Sequence, residues 1–482
     1  MIKKTDLFSN RWAFILAALG MAIGAGNLWR FPRLAGQYGG SFLIPWMLFL
    51  FIWSIPLIIV EFSIGKKFRK GVIGAFKEGI GPKFAWMGWF IGLCTIGIMF
   101  YYSVVCGWSL KYFFLSIFKG FDNLDPELFW SNYTTGSWQP VIFAVTALMI
   151  GGGIVVAGIR KGIERASKIL IPSLFVLIII AAIKALSLPD STEGLRYFFK
   201  VDPLDLLNYK VWLEALSQSA WSTGAGWGLI LTYGTYVREE EEVVSNSVLT
   251  GLGNNLASLL IGLAVIPTVF ALSPGIMAAY QALESGNQGL TFIYMPQLFA
   301  RMTGGAIFTM VFFLALFVAS ISSLISMIEL AIRLLSDYGI GRKVGILLVV
   351  VAGILAGFPS AISLTFFNNQ DWVWGVGLLL SGFFFLFFIH KYGILRFKSE
   401  VLNYTGKSLF FRDKFIQFIS IFMLLEFAVM FLWWFLQSLS WYPENWWNPF
   451  AEFSIGTCLF QWTIVLLVGI MFNKRIAQIK AD

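Results

Sequence analysis

The chain has 482 residues, 58% of them hydrophobic and only 13% charged, with a mean hydropathy of +0.77. Soluble domains run at roughly 45–50% apolar and about 25% charged, so a water-soluble fold is excluded and a polytopic membrane protein is indicated. The formal charge of +9 is no argument for nucleic acid, because the basic residues gather between apolar runs, and Cys94, Cys106 and Cys458 lie inside such runs with neither a disulfide framework nor metal-ligand spacing.

A membrane span needs roughly 20 mainly apolar residues. That criterion predicts twelve, over 12–37, 41–64, 84–117, 140–158, 166–186, 212–236, 246–272, 306–336, 343–364, 371–391, 414–440 and 452–473. The first run follows Lys3, Lys4 and Arg11 and has no small-residue cleavage site, so it reads as an uncleaved span. With the N-terminus inside, 26 of the 35 Lys and Arg fall on the inner side, which makes both termini cytoplasmic and the protein a multi-pass component of the cell membrane.

Within the first run, Gly20-Met21-Ala22-Ile23-Gly24-Ala25-Gly26-Asn27 packs three glycines and no strong helix former into eight residues. Glycine costs about 1 kcal/mol per helical position relative to alanine, and broken backbone in lipid leaves N–H and C=O groups without water. A break here therefore requires something polar against it. Further along, 118–139 reads as a plain surface loop. Residues 273–305, punctuated by Pro274, Gly275, Gly286, Gly289, Gly304 and Gly305, read as a helical hairpin lying over the protein or as an ordinary solvated loop.

The sixth run carries Ser222-Thr223-Gly224-Ala225-Gly226-Trp227-Gly228, which repeats the Gly-Ala-Gly of 24–26 five spans later. Two glycine-interrupted spans in matching positions of two halves are a pointer to an inverted-repeat transporter site; close helix packing is the competing explanation. The predicted fold is all-α, with a 5+5 inverted repeat, discontinuous first and sixth helices and two extra C-terminal helices. The expected divisions are an N-terminal segment 1–11, repeats over 12–200 and 201–392, and a C-terminal part 393–482.

The stretches Asn27-Leu28-Trp29-Arg30-Phe31-Pro32, Gly39-Gly40-Ser41-Phe42-Leu43-Ile44-Pro45, Ile55-Pro56-Leu57 with Glu61, and Leu231-Thr232-Tyr233-Gly234-Thr235-Tyr236-Val237 resemble the neurotransmitter:sodium symporter family and its LeuT-type fold. The resemblance runs from residue 9 to about 392. It implies two sodium sites, one formed by the Ala22 carbonyl with Asn27, Ser222 and Asn254, the other by carbonyls of Gly20, Ile23 and Ala319 with the Ser322 and Ser323 hydroxyls. Neutral oxygens suit a hard cation that must also be released.

The same resemblance implies an amino-acid site. Ala25 and Gly26 N–H groups and the Tyr102 hydroxyl would take the carboxylate, with Ile98, Trp221, Gly224, Trp227, Ser323 and Met327 around the side chain. Monoamine carriers of the family place an acid where this chain has Gly24, so the substrate should bring its own carboxylate. Gly224-Ala225-Gly226 resembles the variant of the unwound segment associated with bulky side chains, whereas Trp227 and Met327 fill volume. A large aliphatic or aromatic L-amino acid is the expectation. Arg30 and Asp371 match the outer gate and Asp337 the inner one, although the inner partner is Thr5 here, with Lys3 or Lys4 as substitutes. A chloride site at Gln218, Ser222, Asn254 and Ser258 is left open, since Trp46 replaces its usual tyrosine.

The implied function is sodium-coupled symport by alternating access, with membrane lipid around the chain and a homodimer left open. Sodium-dependent transport of another small carboxylated solute and a channel or receptor are the alternatives. An enzyme is disfavoured by the absence of a GxSxG elbow or a His-rich motif, with one histidine (His390, expected at the interface) in the whole chain. Glu61 and Glu329 match family positions; Glu426 matches none and reads as a local packing or interface feature.

Overall fold

The computed structural model describes residues 7–118, 121, 124–402, 413–441 and 443–479. Lys3, Lys4, Thr5, Lys407, Arg412 and Lys480 therefore lie outside the described residues.

Helix α1 (Arg11–Ala22) starts where the Asn10 side chain accepts from Ala13 N at 2.9 Å. It stops at Ile23, whose extended backbone (φ −78°, ψ 93°) cannot continue a helix. The chain resumes as α2 (Gly26–Tyr38), bent by 56° from α1. Next come α3 (Gly40–Phe68), α4 (Pro82–Phe118), α5 (Gln139–Val156) and α6 (Ile159–Leu186). The sixth span is two short pieces, α7 (Tyr209–Ser222) and α8 (Leu229–Gly234). After it follow α9 (Val243–Leu272), α10 (Gly305–Asp337), α11 (Arg342–Ile362), α12 (Leu364–Tyr392), α13 (Asp413–Ser440) and α14 (Ile455–Met471).

Among the described residues nine helices are long and apolar enough to cross a membrane, ten with the bent pair α1–α2. The sixth and twelfth of the expected spans fall short of that length, the sixth because it is broken and the twelfth because α14 has 17 residues. The tenth begins at Leu364, capped by Ser363, rather than at 371.

Small residues set the helix crossings. A methyl group on Gly65 of α3 would lie 2.0 Å from Leu231 O of α8, and one on Gly107 of α4 would lie 2.6 Å from Ala144 N of α5, the close backbone approach that holds helices together in lipid. Helix α10 packs along α4 at the centre and has the most completely buried apolar stretch.

The segment expected as a plain loop over 118–139 instead contains a helix, Pro126–Thr135, begun by Asp125 accepting from Glu127 N and Leu128 N. Its Trp130 is buried and stacks on Phe292 at 4.8 Å. Phe292 belongs to the 273–305 segment, which folds as short helices including Ile276–Glu284 and Met295–Ala300 over the bundle. Of the two alternatives for 273–305, the structure shows short helices rather than a plain solvated loop, and the Trp130–Phe292 contact joins them to the Pro126–Thr135 helix.

Candidate functional site

The two breaks face each other at the centre of the bundle. At the first, Gly24 N donates to Asn27 Oδ1 (3.0 Å) and Ala25 N to the Tyr102 hydroxyl (2.8 Å). A methyl group on Gly24 would lie 2.8 Å from that hydroxyl and 2.9 Å from Ser323 Oγ, so no side chain fits. At the second, Gly224, Gly226 and Gly228 take left-handed backbone (φ +69°, +89° and +77°), which only glycine adopts without strain. The fully buried Glu61 of α3 accepts from Gly226 N and from Gly228 N (2.8 Å), while Thr95 Oγ donates to Trp227 O at 2.6 Å. A carboxylate at the start of α8 answers freed donors that lipid cannot satisfy.

Two groups of neutral oxygens flank the first break. Asn27 Nδ2 donates to Asn254 Oδ1 and Ser258 Oγ, both at 2.8 Å, and Asn254 Nδ2 to Ser222 Oγ at 3.2 Å. Gln218 Nε2 reaches Gly26 O at 3.4 Å. On the other side Ser323 Oγ lies 3.4, 3.1 and 3.4 Å from the carbonyls of Gly20, Met21 and Ala319, and Ser322 Oγ donates to Ala319 O at 2.8 Å. Ile23 is the residue at which α1 breaks.

Between the breaks lies a cavity of about 280 Å³. Of the residues expected around a substrate, Gly26, Tyr102, Trp221, Gly224, Trp227, Ser323 and Met327 line it, together with Ala22, Asn27 and Ser222. Ala25 turns its N–H to Tyr102 instead, and Ile98, fully buried, stands behind the wall. The walls also include Met21, Glu214, Ser217, Trp433, Trp434 and Phe453, none of which the sequence reading placed there.

The gate residues take specific partners. Arg30 lies 3.6 Å from Glu214, donates to Ser217 Oγ at 2.7 Å and sits 5.8 Å over the Trp221 ring. Asp371 lines the same cavity beside the Tyr101 hydroxyl, within the field of Arg30 but not paired with it, the ion pair of Arg30 being with Glu214. At the opposite, basic end Asp337 accepts from Gly71 N (2.8 Å) and pairs with Arg333 (3.2 Å), whose guanidinium also donates to Arg69 O at 2.6 Å. Arg69 in turn donates to the carbonyls of Thr235 (3.0 Å) and Val237. Phe8 is buried against Phe14 and Tyr233, and its N–H donates to Tyr236 O at 2.9 Å. The basic end is sealed by these contacts, while the cavity runs the other way, past Arg30 and Asp371.

A buried site between discontinuous helices, walled by neutral oxygens and aromatic rings, defines a secondary transporter of the inverted-repeat class. The sequence model of the sodium:neurotransmitter symporter family matches residues 5–135 and 131–478, and the chain belongs to that family. An uncharacterized sodium-dependent transporter of Methanocaldococcus jannaschii is 33% identical over 363 residues, covering 73% of this chain and 74% of that protein. A mouse sodium-dependent neutral amino acid transporter is 27% identical over 497 residues, 83% of this chain and 80% of that one. Among solved structures, MhsT in complex with L-phenylalanine superposes with a TM-score of 0.79 at 27% identity, covering 89% of this chain and 99% of MhsT. The chain is thus a sodium-dependent membrane transporter with the LeuT fold that binds a small-molecule substrate, and it is not an enzyme.

Proposed function

We propose that the protein carries a large aliphatic or aromatic L-amino acid into the cell together with sodium, by alternating access around the cavity between the two breaks. The observation that carries this reading is the pairing of Tyr102 and Ala25 N at a break where Gly24 leaves no room for an acidic side chain. Gly26 N–H and the Tyr102 hydroxyl then serve the substrate carboxylate, while Trp221, Trp227 and Met327 offer it an apolar surround. The phenylalanine in MhsT and the neutral amino acids of the mouse relative point the same way.

In this reading Ala22, Asn27, Ser222 and Asn254 hold one sodium, and Gly20, Ile23, Ala319, Ser322 and Ser323 the other. Repeats over 12–200 and 201–392 supply one broken helix each, and both termini lie in the cytoplasm on the basic side. Chloride beside Asn254 fits the donors: Ser258 and Ser222 accept from amide groups, which leaves their hydroxyl protons to donate. The indole N–H of Trp46, fully buried, also has no hydrogen-bond partner among the described residues.

The test is uptake into proteoliposomes across an imposed sodium gradient with a panel of labelled amino acids. Accumulation of leucine-, phenylalanine- or tryptophan-like substrates only with sodium is expected; if no amino acid accumulates, the reading is wrong. Replacing chloride by gluconate in the same vesicles should lower uptake.

A further inference from the structure

Besides the gate acids Glu214, Asp337 and Asp371, four carboxyl groups are buried among the described residues, and three of these are answered: Glu164 of α6 accepts from Ser9 N at 2.9 Å and from Lys168 at 2.6 Å. Glu61 accepts two backbone N–H groups. Glu329 takes two bonds from Arg342, at 3.0 and 2.6 Å, and one from the Tyr236 hydroxyl at 2.8 Å. Glu426 of α13 is only 5% exposed, both its oxygens are buried, and neither has a hydrogen-bond partner among the described residues. An ionised carboxylate so placed is expensive in a bilayer, so the side chain carries its proton.

Its surroundings form a track rather than a pocket. Helix α13 buries one stripe, Ser420, Met423, Glu426, Met430, Trp434 and Ser438. At one end Trp434 lines the substrate cavity, and its indole N–H, like the Ser438 hydroxyl, has no partner. At the other end Ser420 Oγ lies 3.5 Å from Nε2 of His390, the only histidine of the chain, near the basic end of α12. Helices α12 and α13 run antiparallel, with Phe383 stacked on Phe427 at 4.8 Å. That register sets Glu426 beside Phe383 and Phe384, about 9 Å along the helix from Ser420. The neighbouring Gly382 packs against Gly226 of the unwound segment and against Trp53.

The charged and titratable groups of the elements around Glu426 are engaged elsewhere. On α12, Asp371 is at the cavity and His390 at Ser420, with Lys391 and Tyr392 beyond it at the basic end. On α7, Glu214 is on Arg30 and Tyr209 and Lys210 open the helix. Arg396 is on Glu400, α14 brings only the buried Cys458, and the Leu50–Ser54 stretch of α3 brings no titratable group.

We propose that Glu426 is an exchangeable proton site that couples proton movement to sodium-driven transport, with Ser420 and His390 leading to the basic face. The step is a proton transfer alone: the Glu426 O–H bond breaks and water admitted beside α13 takes the proton, since Ser420, about 9 Å along the helix beyond Met423, does not touch the carboxyl; Ser420 and His390 lie on that water's route to the basic face, and the carboxylate is reprotonated by water from the cavity side. Displacement of the unwound sixth span against Gly382 during transport is what changes the site's access.

The proposal rests on the amino-acid reading only for its flux assay, so two measurements are paired. In proteoliposomes with a pH dye inside, substrate plus sodium should produce a proton signal that is lost in Glu426→Gln and slowed in His390→Gln, while Glu426→Gln retains sodium-driven uptake. Independently of substrate, infrared difference spectra of the purified protein should show a protonated-carboxyl C=O band that disappears in Glu426→Gln. Absence of that band in the wild type, or a proton signal that survives in Glu426→Gln, overturns the proposal. Absence of uptake with the band present overturns the amino-acid reading and leaves the proton site standing.

Discussion

Single atoms decide the chemistry of the site. Tyr102 accepts from Ala25 N, and on the amino-acid reading its hydroxyl donates to the substrate carboxylate, so Tyr102→Phe should weaken substrate binding by about tenfold, as expected for one hydrogen bond to a charged group, measured by equilibrium binding. Removing the Ser323 hydroxyl, which faces three carbonyls, should raise the sodium concentration for half-maximal uptake by about fivefold, the equivalent of about 1 kcal/mol. Gly24 was legible in the sequence as an absent acid; that even a methyl group would strike Tyr102 and Ser323 was not, because those two residues come from helices far from it in the chain. Glu214 was readable in principle. It lies four residues before Gln218 and seven before Trp221, hence on the helix face that carries both. The resemblance directed Arg30 to Asp371, and so the nearer acid was passed over.

At the scale of elements, the unwound sixth span depends on one carboxylate and three left-handed glycines. Gly226→Ala forces a side chain into φ +89°, at roughly 1–2 kcal/mol, and should lower the melting temperature and sodium-driven uptake together. The two breaks were visible as glycine clusters because the backbone conformation they need is itself a sequence property. The helix over Pro126–Thr135 also had local signals, an Asp-Pro start and aromatic residues three apart, and only composition argued against it. By contrast Trp433, Trp434 and Phe453 reach the cavity through tertiary packing that leaves no periodic trace in their own segments.

For the whole molecule, the packed basic end and the cavity open past Arg30 are what one end state of the proposed alternating-access cycle requires. The basic end is braced by Arg342 on α11, which pairs with the fully buried Glu329 and also donates to Val155 O at 3.0 Å. Arg342→Gln strands a buried charge, which costs about 3–5 kcal/mol, and the loss should appear as a large fall in melting temperature. Adding Glu329→Gln should recover much of it; a double variant no more stable than the single one would mean the pair is not what holds this end. The class of fold was legible from hydropathy and the paired breaks. The state of the gates was not, because it depends on which acid Arg30 touches rather than on which acids are present.

The wall formed by Trp433 and Phe453 has a consequence for pharmacology. Trp433 and Phe453 line the cavity from α13 and the segment before α14, outside the first ten spans, so a bulky blocker that fills the cavity should meet them, whereas an occupant confined between the breaks should not. On the amino-acid reading, bulky inhibitors should therefore be read by parts of the chain that the cargo does not touch. Trp433→Ala and Phe453→Ala should weaken large competitive inhibitors while leaving the substrate half-saturation constant unchanged, as measured by inhibition of uptake.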